Sequence, residues 1–341
     1  MPWIQSINGV WLLLLSVAVS MLTVLAAGTV LIPALRKIGV AQTVRDDGPK
    51  RHLTKSGTPT MGGIILVLGI LVACFICGSG DIEFVFTAIL VTLGYGVIGF
   101  IDDYIKVIKR RNLGLRAYQK LLAQIGLALV LSIYAYRSPM VGSALYVPVF
   151  HTMWDLGWMY IPFTVFVMIA VTNSVNLTDG LDGLASGISI IVTATMGIFI
   201  NAIVAQSTQA GGDPNYIQNM KNLLVFSGAV TGACMGFLRF NHYPAQVFMG
   251  DVGSMALGGA IVIMAVLTRT MLILPVLCAM FMVSSVSDII QVAVFKLKGR
   301  RVFKMAPLHH HFELSGMHEV RVVWMYMLLS LMFAIISLFI M

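Results

Sequence analysis

The sequence predicts an all-α polytopic membrane protein with about ten transmembrane helices, both termini on the non-cytoplasmic side and its reactive groups at the cytoplasmic face. Three observations point there. Of the 341 residues, 58% are hydrophobic and only 11% are charged, whereas a soluble domain carries roughly 25% charged residues. The apolar residues fall in long runs from one end of the chain to the other, and a hydrocarbon core of about 30 Å needs a helix of ~20 such residues. The basic residues crowd into alternate connecting segments. Length alone would suit about two globular domains, but the recurring apolar runs leave a single integral membrane domain over residues 1–341. Outer-membrane barrels are excluded, since their ~10-residue alternating strands leave another pattern. Soluble metabolic enzymes and nucleic-acid-binding domains are excluded as well. The net charge of +8 has a different meaning.

The apolar runs predict spans at Val10–Leu35, Met61–Cys77, Phe84–Ile101, Leu121–Tyr136, Met159–Thr172, Gly187–Ala205, Leu223–Leu238, Gly253–Leu267, Met271–Phe295 and Val322–Met341. No Lys or Arg precedes Arg36, so the first span lacks the basic start of a cleavable signal peptide and is read as a true helix entered from outside. Ten spans make the connecting segments alternate between the two sides. Segments 36–60, 102–120 and 296–321 hold six Lys/Arg each, 239–252 adds Arg239, and 173–186 has none. The opposite side has only Arg137, Lys221 and Arg269. Short loops rich in Lys and Arg stay in the cytoplasm, which sets the orientation and explains most of the basic surplus. The four cysteines, Cys74, Cys77, Cys234 and Cys278, all fall in spans; the redox-like spacing of Cys74 and Cys77 lies in lipid and suits packing.

Ten of the fourteen acidic residues fall on the cytoplasmic side or at cytoplasmic helix ends, and ionisable groups at membrane depth usually mark function. Asp102 and Asp103 stand where the third span meets the cytoplasm. Their mutual repulsion needs an offset, and Lys106, four and three residues on, can supply it on a helix. Because helical neighbours point ~100° apart, the two are expected to do different jobs rather than hold one metal side by side. Asn173, Ser174, Asn176, Thr178, Asp179 and Asp182, with Gly180 and Gly183, concentrate amide, hydroxyl and carboxylate oxygens in a segment without Lys or Arg. Such donors suit a hard cation or a polar substrate. Phe248 through Ser254, containing Gly250 and Asp251, opens the eighth span and predicts a capped helix start whose free N–H groups can face phosphate. The internal run His309-His310-His311 suits phosphate binding or proton handling more than zinc, because adjacent histidines cannot easily reach one metal. Together with Lys55, Lys106 and Lys120, these clusters predict a site for a polyanion and a divalent cation.

Pro59-Thr60-Met61-Gly62-Gly63, Asp102-Asp103, Asn173 through Ala185, Phe248 through Gly253 and Ala306 through His311 occur in that order. They resemble the polyprenyl-phosphate N-acetylhexosamine-1-phosphate transferase superfamily. Asn176 through Ala185 and Ala306 through His311 are most similar to its phospho-N-acetylmuramoyl-pentapeptide transferase family. The resemblance covers every cytoplasmic segment and the ten-span layout. It implies an enzyme of the bacterial inner membrane that moves phospho-MurNAc-pentapeptide from UDP-MurNAc-pentapeptide to undecaprenyl phosphate, yielding lipid I and UMP for peptidoglycan synthesis. It also implies Mg²⁺ as cofactor and, by family analogy, a homodimer. Asp288, in the ninth span with Ser284, Ser285 and Ser287, has no assigned role in that pattern.

The expected roles follow. Asp251 is the principal metal ligand, Asp102 handles the proton or charge of the attacking lipid phosphate, and Asp103 is its neighbour or a second metal contact. His309 is counted with these as catalytic. Lys55, Thr60, Asn173, Asn176, Asp179, Asp182 and Gln291 are expected to bind the nucleotide and sugar, with Phe248 stacking on the base or packing. Lys106, Lys120, Gly180, Asn241, Gly250, Ser254, His310 and His311 complete the substrate-binding set. The alternative reading is a related polyprenyl-phosphate GlcNAc-1-phosphate transferase that uses UDP-GlcNAc. A secondary transporter of an anion would hold its polar groups near the bilayer midplane, whereas here they gather at one face.

Overall fold

The computed structural model describes residues 8–38, 57–109 and 114–341. The order along the chain is α1 (Gly9–Ile38), α2 (Gly63–Cys77), α3 (Glu83–Lys109), α4 (Ala117–Arg137), β1 (Ala144–Val147), β2 (Thr152–Asp155), a 3₁₀ turn (Gly157–Met159), α5 (Tyr160–Thr178), α6 (Leu184–Gln209), α7 (Pro214–Asn241), α8 (Gly250–Leu267), a second 3₁₀ turn (Met271–Ile273), α9 (Leu274–Leu277), α10 (Ala279–Lys298), α11 (Leu308–Leu314) and α12 (Glu319–Ile340). Among the described residues nine helices are long and apolar enough to cross a membrane.

The predicted runs all become helix, with three instructive differences. Met61–Cys77 yields only the 15-residue α2, ~22 Å of helix, because the chain before Gly63 is drawn into pairing with the start of α8. Met271–Phe295 is interrupted: Pro275 sits in the first turn of the one-turn α9, and α10 starts afresh after Cys278. Proline tolerates a helix start and breaks an interior. The antiparallel pair β1–β2, with Leu145 opposite Trp154, was not anticipated; four-residue strands leave too few alternations to stand out from apolar helix.

Two helices form the centre. In its most apolar window α8 is 89% buried and α7 is 78% buried, against 22% for α1, α4, α10 and α12. Helices α3 and α5 pack on α8, while α1 and α6 pack on α7. Gly99 permits one of the closest of these approaches. A Cβ there would lie 2.1 Å from the Asp251 carbonyl oxygen, so α3 and α8 meet backbone to backbone just where both carry aspartates.

Candidate active site

The last turns of α3 place Asp102, Asp103 and Lys106 together, as helical spacing demands. Lys106 Nζ is 2.6 Å from Asp102 Oδ2 and 3.6 Å from Asp103 Oδ1. The chain returning toward α4 folds over Asp102, and the Leu115 N–H donates to its Oδ1 at 2.6 Å. From α8, Asp251 enters beside them. Its Oδ2 accepts from Lys106 at 2.8 Å and from Lys120 of α4 at 2.9 Å, while its Oδ1 accepts from the Asn176 amide of α5 at 2.8 Å. Four helices thus converge on one carboxylate.

Two expectations change here. The ~100° between helical neighbours does not separate Asp102 from Asp103: one oxygen from each, with one from Asp251, lies within 4.8 Å of the others. Each side chain can swing toward the third carboxylate, so divergence at Cβ is closed at the oxygens. Nor is Asp251 a helix cap. It lies inside the first turn of α8, whose cap residue makes no side-chain bond. The free N–H of Val252 is instead taken by Asp103 Oδ2 at 3.2 Å. Gly250, at φ +72°, makes this possible, since a Cβ there would lie 2.5 Å from that same oxygen and 2.9 Å from Thr60 Oγ1. Thr60 is buried beneath it.

Helix α5 runs six residues beyond its predicted end, to Thr178, so Asn173 and Asn176 stand on a helix rather than in a loop. Asn176 also donates to Ser254 Oγ at 2.8 Å and accepts from Lys120 at 3.3 Å. One turn earlier on α5, Asn173 donates to Gln124 Oε1 at 2.6 Å. Residues 179–183 form the true loop. Burial, followed by the negative charges of Asp251, Asp103 and Asp182, pushes the Asp179 carboxyl up to about 8. Against this loop stands α11: a Cβ on Gly180 would lie 2.4 Å from His309 Nε2 and 3.1 Å from His310 Nε2. His309 is fully buried, and His310 Nδ1 is 2.9 Å from Glu313 Oε2.

Other residues from the expected set hold the scaffold. Asn241 is buried, accepts from the Gly183 N–H and the Ser186 hydroxyl, and donates to the Val247 carbonyl. The Asp182 N–H donates to Glu319 Oε1, and Asp182 Oδ2 accepts from the Ala245 N–H. Buried Ser254 donates to the Gly250 carbonyl. The Gln291 amide grips the 302–303 backbone through three bonds. His311 Nδ1 accepts from the Lys304 N–H. Phe248 is tied to the segment before α2 by its own backbone, donating to the Pro59 carbonyl and accepting from the Gly62 N–H. These bonds tie Asn241, Ser254 and Gln291 to neighbouring protein groups around the site. Lys55 lies outside the described residues. Asp288 is half-buried on α10, next to Ser287, whose hydroxyl accepts from the Leu308 N–H.

Sequence reasoning missed Gln124, Leu115 and Glu319. Gln124 was findable, because it is a polar residue in an apolar run, one helical turn from Lys120. The other two were not, since each meets its aspartate through tertiary contact.

Chemically, three carboxylates face two ammonium groups at one end of the bundle. The arrangement can hold a cation on oxygen and offers lysines to phosphate.

Comparison with known proteins agrees with this chemistry. Residues 85–269 match the model for glycosyl transferase family 4, and residues 55–67 match phospho-N-acetylmuramoyl-pentapeptide-transferase signature 1. A phospho-N-acetylmuramoyl-pentapeptide-transferase of Desulfitobacterium hafniense is 46% identical over 95% of this chain and 96% of its own length. Proteins with the same description from Clostridioides difficile and Caldanaerobacter subterraneus are 44% and 47% identical, over 94% and 91% of this chain and 94% and 93% of their own lengths.

Proposed function

This chain belongs to the phospho-N-acetylmuramoyl-pentapeptide-transferase family, and from that premise we propose how its residues carry out the transfer. It is an integral membrane phospho-sugar transferase that converts UDP-MurNAc-pentapeptide and undecaprenyl phosphate to lipid I and UMP. An oxygen of the lipid phosphate attacks the sugar-bearing phosphorus of the UDP-sugar. The bridging P–O bond breaks, and its oxygen leaves with UMP. Such transfers depend chiefly on positioning and charge stabilisation.

The observation that carries the assignment of roles is the convergence of Asp102, Asp103 and Asp251 within 4.8 Å. An all-oxygen, carboxylate donor set fits Mg²⁺, which takes one or two carboxylates and completes its shell with water and substrate phosphate. Asp251 would be the principal ligand and Asp103 a second; the ion would neutralise pyrophosphate charge. Lys106 and Lys120 already stand among these carboxylates, and a bound pyrophosphate offers them alternative partners. Lys120, held by Asn176 as well as Asp251, is the better placed to meet charge developing on UMP.

Asp102 acts as an orienter. A phosphate monoester is largely dianionic at pH 7, its second pKa being about 6, so the nucleophile needs little help from a base. Both Asp102 oxygens are engaged, one by Lys106 and one by the Leu115 N–H, which suits a residue that aims Lys106. Asn173, Asn176 and Asp179 line the approach of the nucleotide and sugar, with His309 and His310 against the same loop. The charge pattern of the connecting segments supports a cytoplasmic active face, external termini and residence in the bacterial inner membrane.

Purified protein incubated with Mg²⁺, undecaprenyl phosphate and either UDP-MurNAc-pentapeptide or UDP-GlcNAc tests this reading through UMP release. UMP from the MurNAc donor alone is expected. Release from UDP-GlcNAc alone would move the chain to another branch, and release from neither would sink the transferase reading.

A further inference from the structure

At the opposite end of α8 from Asp251, ~27 Å along the helix at 1.5 Å per residue, lies a second charged feature that the transfer does not use. The Arg269 N–H donates to the Val266 carbonyl at 3.1 Å and the Thr270 N–H to the Ala265 carbonyl at 2.8 Å. This is the helix stop in which a glycine usually takes the left-handed position. Here the position holds an arginine, at φ +61°. Left-handed backbone at a non-glycine residue is a pointer to a role for its side chain. The guanidinium donates through Nη2 to the Met140 carbonyl at 2.8 Å, while its Nε is buried without a hydrogen-bond partner among the described residues.

Arg269 lines a cavity of about 450 Å³ whose wall is both polar and apolar. Its polar lining includes Tyr146 of β1, Gln206 of α6 and Thr270, which follows Arg269 in the chain. Its apolar lining includes Ile198 and Ala202 of α6 and Leu338 of α12. Ile198 lies eight residues before Gln206, hence ~12 Å deeper along α6. Ile198 is 50% exposed and Leu338 39% exposed, so this apolar lining reaches the surface of two helices read as membrane spans. A cation at headgroup depth above an apolar slot matches an amphiphile with an anionic head. Arginine, planar and weakly hydrated, is the residue suited to phosphate.

We propose that this cavity binds an anionic phospholipid of the leaflet opposite the active site, its phosphate on Arg269 and its first acyl segment against Ile198, Ala202 and Leu338. The test uses the purified full-length protein in mixed micelles with photoactivatable phosphatidylglycerol or phosphatidylcholine, with crosslinks mapped by peptide. The expected result is preferential labelling of residues 198–207 and 268–271 by phosphatidylglycerol, falling about tenfold, the size of one lost charged hydrogen bond, in Arg269→Gln. Arg269→Gly, which the left-handed backbone favours, should lose labelling equally and keeps the test valid if the Gln variant misfolds. Ala202→Trp should block labelling by both lipids while leaving UMP release unchanged. Equal labelling by the two lipids, or labelling that survives both Arg269 variants, would overturn the proposal. So would displacement of the lipid by glycerol 3-phosphate at millimolar concentration, which would make this a site for a free anion.

Discussion

Two polar clusters in the helical bundle, the aspartates around Asp251 and the asparagines around Ser79, handle buried polarity in opposite ways. In the first, three carboxylates share two lysines, and Asp251 alone accepts from Lys106, Lys120 and Asn176. In the second, buried Asn222 accepts from the Ser79 N–H and donates to the Ser79 carbonyl, while Asn219 accepts from the Phe84 N–H. The second arrangement is neutral and satisfies the backbone of one loop, as a clasp should, because a buried polar group left unmatched is costly. The first is charged, and its ammonium groups are shared among several acceptors. A set of side chains that can exchange partners accommodates a metal and phosphates; a neutral set matched to one loop can only hold it. Excess, partly shared charge marks reaction, and neutral satisfaction of the backbone marks scaffold.

The sharpest way to break this contrast is Asp251→Asn. It keeps the shape, removes the charge on which four helices converge, and should lower UMP release by on the order of 10³-fold, comparable to losing a central electrostatic group, with unchanged thermal stability. Activity within a few-fold of wild type would show that the charge is scaffold after all. Lys120→Met comes next, with a loss of about 10²-fold falling on kcat if the lysine meets charge on UMP. A loss confined to KM would return it to simple substrate binding.

On the neutral side, Asn222→Ala should cost about 1–3 kcal/mol of stability by leaving the Ser79 N–H unmatched, while turnover per folded molecule is unchanged. A specific loss of turnover with an unshifted melting curve would erase the distinction between the two clusters. Asp102→Asn sharpens the charged side. An orienter predicts a loss that is uniform with pH, whereas a base predicts partial rescue at high pH, so a kcat profile from pH 6 to 9 separates the two.

The smallest effect concerns Asp179. Its carboxyl is raised to about 8 by burial and neighbouring carboxylates, above the ordinary value of about 3.9. Between these values the folded, magnesium-free protein holds a proton that the unfolded chain has released, so this group's contribution to stability is present below pH ~4 and is lost as pH rises toward 8. Asp179→Asn should therefore melt like wild type at the acid end and at a higher temperature at pH 8. Parallel melting temperatures across the range would rule out the raised carboxyl.

Much of this molecule was legible in its residues. Hydrophobic run length predicted the helices, because a bilayer demands internally bonded backbone of a set length. The Asp102–Lys106 ion pair followed from a spacing of four on one helix. Composition alone singled out Asn176, Asp179 and Asp251, since oxygen-rich segments stand out in an apolar chain. The tertiary structure alone decided that Asp103 joins Asp251, that Lys120 and Asn176 meet there, and which neighbouring groups Asn241, Ser254 and Gln291 bond. It alone brought Arg269 to the wall of one cavity with Ile198, Ala202 and Leu338. The physical reason is that helical periodicity is a local property, while the approach of one helix to another depends on packing between distant residues. Gly99 looks like any glycine in an apolar run until the Asp251 backbone is found against it, and that single contact brings the carboxylates together.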